Sequence, residues 1–175
     1  MAARDGERPS QPARPADSNE GACEPLDPSE PLGSWELLEH TADLRLRLRA
    51  PDPSSLYRVA VESLAALVGG AAFAGGAATG QGDPEPQEVS LSGTDPADLL
   101  VQLCNEVIFI LETRSLLARG FSLVAASQTA IEGTLLLSPI APSDIALQIK
   151  AATYGDVRFE FAEGVGALAE ITLDL

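Results

Sequence analysis

The chain is short of histidine, lysine, cysteine and aromatic side chains, and each shortage excludes something. It holds one histidine, His40, one lysine, Lys150, and two cysteines, Cys23 and Cys104. No structural zinc set of four His and Cys ligands can be assembled from these. Lys and Arg number 11 against 26 Asp and Glu, a net charge of −15. Direct nucleic-acid binding is not expected, because phosphate contacts need clustered cations. Attachment to an anionic membrane surface is disfavoured for the same reason. No apolar run approaches about 18 residues, so no spanning helix is expected. There is no glycine loop ending in Lys-Ser or Lys-Thr, and no Gly-x-Ser-x-Gly elbow. The N-terminus has no apolar segment of signal-peptide type. The expected compartment is therefore the reducing cytoplasm, with free thiols; a Cys23–Cys104 bridge would have no framework around it. Aromatics are 5% of the residues, so Ala, Leu and Val must supply the core.

What is present divides the chain in two. The length of 175 residues suits one domain with a tail. Residues 1–34 hold six of the 13 prolines and seven acids, without hydrophobic period. They are expected to form a disordered tail, having too little apolar surface to offset ordering entropy. The folded domain is expected over 35–175, itself carrying eight basic and 19 acidic residues.

Within it, Leu44, Leu46 and Leu48 alternate with Arg45, Arg47 and Arg49, the period of a strand ended by Pro51 and Pro53. A helix is expected from about 54 to 68, capped by Ser54 or Ser55. Residues 69–87, rich in Gly, Ala and Pro, read as a loop, and Val89 and Leu91 mark a short strand. Thr94-Asp95-Pro96 starts a second helix running to about Glu112. Its buried stripe is Leu99, Leu100, Leu103, Val107, Ile110 and Leu111, and Cys104 reads as a small buried hydrophobe. Strands follow near 119–126, 130–138, 145–154, 156–162 and 168–174. The order indicates an α+β fold of two layers, a largely antiparallel β-sheet covered on one face by two helices.

Three features concentrate the chemistry: His40 in Glu39-His40-Thr41-Ala42-Asp43, Lys150 in Lys150-Ala151-Ala152-Thr153-Tyr154, and the strand-like end Ile171-Thr172-Leu173-Asp174-Leu175. A paired last strand would hold the Leu175 carboxylate beside that of Asp174. With Asp43 nearby they would make an all-oxygen site for Ca²⁺ or Mg²⁺, and Mn²⁺ accepts the same donors. The alternative is a solvated pair at a strand end. By strand period Asp43 falls on the face of Arg45 and Arg47, and its plain reading is an ion-pair partner of those arginines. His40 falls on the apolar face, where a hydrogen-bonded, half-buried histidine is commoner than a ligand. Thr41 would bridge backbone groups at a strand irregularity.

These residues resemble the archease family, small protein cofactors of the RtcB-type RNA ligase. The resemblance lies in Trp35-Glu36-Leu37-Leu38-Glu39-His40-Thr41-Ala42-Asp43, in the helix from Asp98 to Glu112 with Asn105-Glu106, in Lys150-Ala151-Ala152-Thr153-Tyr154, and in Asp174-Leu175. It spans 35–175, in order. It implies a metal site at Asp43, Asp174 and Leu175, with Ca²⁺ first and Mg²⁺ or Mn²⁺ also accepted. It also implies ligase activation or a nucleotide contact at Lys150, His40 and Thr153, and no catalytic residue. Some positions depart from the family. Ala50-Pro51-Asp52 replaces its usual turn, leaving Asp52 without an implied role, and 121–147 is more apolar.

The implied function is a non-catalytic activator that promotes ligase guanylylation and multiple turnover in tRNA splicing and RNA repair. The protein would act as a monomer or weak oligomer, with no membrane and no nucleic acid bound directly. Two alternatives stay open: a chaperone or specificity modulator of other RNA-processing proteins such as methyltransferases, and a metal-dependent phosphohydrolase with His40 as its base.

Overall fold

A computed structural model of the chain describes residues 33–38, 43–70 and 83–175. Residues 1–32 of the expected tail, residues 71–82 of the expected loop and the Glu39-His40-Thr41-Ala42 segment lie outside the described residues. The elements are β1 (Ser34–Leu38), β2 (Leu44–Ala50), α1 (Pro53–Gly69), β3 (Glu85–Ser92), α2 (Pro96–Arg114), β4 (Leu116–Ala126), β5 (Ala130–Pro139), β6 (Ala151–Ala162) and β7 (Gly166–Asp174).

The α+β class is as the sequence indicates, but the strands divide between two antiparallel sheets instead of forming one. Sheet A has the order β1-β2-β7-β6 and sheet B the order β3-β5-β4. Each helix touches both: α1 packs on β2, β7 and β4, and α2 on β6, β4 and β3. The reason is visible in α1. Leu56, Tyr57, Val59, Ala60, Val61, Leu64, Ala65 and Val68 are all buried, a band wider than one sheet face covers. A helix apolar on so much of its surface needs two covering layers.

β2 has the alternation read from its sequence. Leu46, Leu48 and Ala50 are fully buried, while Arg45, Arg47 and Arg49 on the other face are half-buried. The predicted stripe of α2 is buried throughout, with Val101, Cys104 and Ile108 added to it. Truncating one of its fully buried leucines, such as Leu100, falls in the class of change that costs about 2–5 kcal/mol.

Several boundaries differ from expectation. β1 occupies Ser34–Leu38, beginning at the last residue of the expected tail and running into the Trp35–Asp43 motif, and pairs with β2 from Ser34↔Arg49 to Leu38↔Arg45. β3 begins at Glu85, inside the expected loop; Pro86 is tolerated because β3 is an edge strand. The cap of α1 is Asp52, not Ser54 or Ser55. Its carboxylate accepts from the Ser55 backbone N–H at 2.8 Å and from the Ser55 hydroxyl at 2.6 Å. Pro53 at the first helical turn sets the start just after Asp52. In α2 the same grammar holds, with the Asp95 carboxylate accepting from the Asp98 N–H at 2.9 Å.

The two strands expected at 145–154 and 156–162 are one strand, β6, and 145–150 contains no strand. β6 is interrupted where Thr153 opposes Thr172 and the next paired residue, Arg158, opposes Glu170. Four residues of β6 thus bulge against one of β7. Asp156 takes a left-handed backbone there, with φ 56°, following Gly155. Such bulges bend a strand and re-aim its side chains.

Candidate functional site

The end of sheet A gathers most of the residues singled out from the sequence. β2 opens at Leu44, which pairs with Leu173 of β7. Asp43 immediately precedes that pair and Asp174 immediately follows it. On the other side of β7, Asp174 pairs with Ala151 at the start of β6. The Lys150 backbone N–H donates to the Asp174 carbonyl at 2.9 Å, extending the ladder by one bond. The Lys150 ammonium donates to the main-chain oxygen of Leu175. Asp43, Lys150, Asp174 and Leu175 therefore sit at the same end of three neighbouring strands, and all four are exposed. Thr153 lies further along β6, opposite Thr172, whose carbonyl accepts from its hydroxyl at 3.4 Å. His40 and Thr41 are outside the described residues.

The donor chemistry fits a hard cation. Two aspartate carboxylates and a main-chain carboxyl group offer only oxygen. Among the described residues no three His, Cys, Asp or Glu side chains lie close enough to hold a metal ion. A metal here would need the Leu175 main-chain oxygens beside the two aspartates. Lys150 already donates to one of those oxygens, so it orients the carboxyl group and balances part of its charge.

The plain reading of Asp43 as partner of Arg45 and Arg47 is replaced by another carboxylate. Glu170 on β7 pairs directly across from Arg47. Its carboxylate meets Arg45 Nη2 at 2.8 Å and Arg47 Nη2 at 2.7 Å, with its side chain only 7% exposed. Arg47 also reaches Glu36 of β1 at 3.1 Å. Burial works to raise the Glu170 pKa, but the Arg47 hydrogen bond and the charges of Arg45 and Arg47 outweigh it and hold it below the usual carboxylate range. Strand period placed the arginines on this face; only the β2–β7 register shows who faces them.

Helix α2 fastens the Lys150–Tyr154 segment at two points. Asn105 donates through Nδ2 to the Ala152 carbonyl at 2.9 Å and accepts through Oδ1 from the Ala152 N–H at 2.8 Å. β6 is an edge strand, so the Asn105 amide stands in for a neighbouring strand at that residue. In the first turn of α2, the Asp98 carboxylate accepts from the Tyr154 hydroxyl at 2.9 Å and from Gln102 at 3.0 Å. It also accepts from the Thr94 N–H at 2.8 Å. These donors, Gln102 foremost, pull the Asp98 pKa down to about 2. Tyr154 is correspondingly raised, chiefly by its bond to Asp98. The positioning roles of Asn105 and Asp98 were not read from the sequence. A signal existed for Asn105: an amide interrupting a long apolar run in mid-helix competes with the backbone unless it has a partner.

The thiol of Cys104 is fully buried in α2 and not in a disulfide. Burial pushes it up to about 12, so it is inert as a nucleophile.

Comparison with solved structures places this fold beside the solution structure of Methanobacterium thermoautotrophicum protein 1598. The two share 18% identity, with 81% of this chain and 98% of that one covered and a TM-score of 0.62. At that identity the likeness shows the fold alone. No curated protein matches the chain. Residues 35–175 match the Archease protein family (MTH1598/TM1083). The chain belongs to the archease family, a class of protein cofactors in RNA ligation and tRNA processing.

Proposed function

We propose that this protein activates an RtcB-type RNA ligase, promoting ligase guanylylation and hence multiple turnover, without a reaction of its own. The observation that carries the reading is the convergence of Asp43, Asp174, Leu175 and Lys150 at one end of β2, β7 and β6. In this reading Asp43, Asp174 and the Leu175 carboxyl group hold a divalent ion, Ca²⁺ first, with Mg²⁺ or Mn²⁺ also accepted. When bound, the ion supplies a positive centre for phosphate oxygens. Lys150 fixes the carboxyl group and offers its remaining donors to a nucleotide phosphate. Thr153 lines the same strand, and His40 belongs to the segment leading into Asp43. A net charge of −15 favours docking on a basic cleft and disfavours RNA itself. The working compartment in this reading is the cytoplasm.

The test is multiple-turnover ligation by the cognate ligase with GTP, Mn²⁺ and excess RNA, with and without substoichiometric protein. Wild type is expected to raise both turnover and ligase guanylylation. Asp43→Ala is expected to lose that stimulation at least ten-fold, with its melting temperature unchanged because Asp43 is exposed. Full stimulation by folded Asp43→Ala protein would sink the reading. So would nucleotide hydrolysis by the isolated protein that accounts for the effect.

A further inference from the structure

At the opposite end of sheet A lies a cleft that the carboxylate end does not use. It has a volume of about 880 Å³ and forms where the starts of α1 and α2, the far half of β6 and the β4–β5 turn meet. Phe161 pairs with Ala167, seven residues along β7 from Asp174, so the two regions are roughly 20–25 Å apart at strand rise. The floor is aromatic. Tyr57 is buried and Phe159 stands beside it, with ring centroids 6.0 Å apart. Phe161 is 54% exposed, an aromatic face left to solvent. The rim is acidic: Asp52 and Asp95, the two capping residues, line it, and Gln128 adds an amide. None of the described residues lining the cleft is Lys or Arg. Each helix start contributes about half a positive charge, which the full charge of its aspartate exceeds; the charge of Arg58 offsets part of that at Asp52, so Asp95 is the stronger anchor.

We propose that this cleft docks an arginine-bearing segment of a partner protein. The occupant follows from charge and shape. A guanidinium is flat, so it stacks on the exposed Phe161 ring, and its fork reaches a carboxylate at the rim. The cleft is larger than one side chain needs and lies within the usual volume range of ligand pockets. The inference does not rest on the ligase reading and uses none of the same residues.

The experiment titrates the full chain into a fluorescein-labelled Gly-Arg-Leu-Arg-Gly peptide at 0.15 M salt and reads anisotropy. Gly-Lys-Leu-Lys-Gly and Gly-Glu-Leu-Glu-Gly serve as comparisons. Saturable binding of the arginine peptide is expected, at least three-fold tighter than the lysine peptide, with none for the glutamate peptide. Phe161→Ser and Asp95→Asn should each weaken it at least five-fold. Asn caps a helix as well as Asp does, so Asp95→Asn removes the charge while keeping α2, and it decides the matter if Phe161→Ser fails to fold. Glu112→Gln, at the far end of α2, should leave binding unchanged. Equal weakening by Glu112→Gln would mean that net charge alone attracts the peptide, and would overturn the proposal. Unchanged binding in both cleft variants would overturn it as well.

Discussion

Glu170 shows what a single residue contributes here. Two guanidinium groups converge on one carboxylate that is almost out of water. Removing the carboxylate leaves two cations with less compensation, but at 23% and 27% exposure they keep access to solvent. Glu170→Gln is therefore expected to cost about 1–3 kcal/mol, below the range for a fully buried pair. Urea unfolding at neutral pH measures it. The pH dependence has a definite sign. The native pKa lies below its ordinary value, so this contribution is complete above the unfolded value of about 4.3. It is lost as pH falls through the depressed native value. The wild type should lose stability over that acid window more steeply than Glu170→Gln.

Among elements, β6 depends most on help from outside its sheet. β7 covers one edge of it, and on the other the Asn105 amide satisfies both backbone groups of Ala152. Asn105→Ala would leave that N–H and carbonyl unpaired in a partly buried place, at about 1–3 kcal/mol. Asn105→Asp would keep the acceptor for the N–H but lose the donor and set a carboxylate oxygen against the Ala152 carbonyl. Hydrogen exchange at the Ala152 amide should speed up strongly in the alanine variant and much less in the aspartate one. Because Lys150 enters the same strand, ligase stimulation should fall in the alanine variant even at temperatures where the protein is fully folded. Equal exchange in both variants and wild type would remove Asn105 from this role.

For the whole molecule, charge is the dominant property. With 26 acids against 11 bases, association with a basic partner should be steered by long-range attraction. Raising ionic strength from 0.05 M to 0.5 M shortens the screening length to a few ångströms. The association rate with the ligase, measured by stopped-flow fluorescence, should fall about ten-fold over that range, while the dissociation rate changes little. A rate insensitive to salt would mean that the acidic surface does not guide docking.

Whatever local physics decides could be read directly from the order of residues. The Leu-Arg alternation in β2, the Asp-Pro start and apolar stripe of α2, and the α+β order follow from periods of 2 and 3.6 and from capping chemistry. The residues of the carboxylate end were legible too, as a lone lysine, an aspartate near a strand start and a strand running to Leu175. Tertiary structure alone decided which of them meet, since register between β2, β7 and β6 is a long-range property. It also decided that Glu170, and not Asp43, answers the arginines, and that the strands split into two sheets around helices buried on more than one side. The bulge in β6 and its clamp by Asn105 and Asp98 belong to the same class. They depend on residues about 50 positions apart in the chain, and no local pattern encodes a contact at that separation.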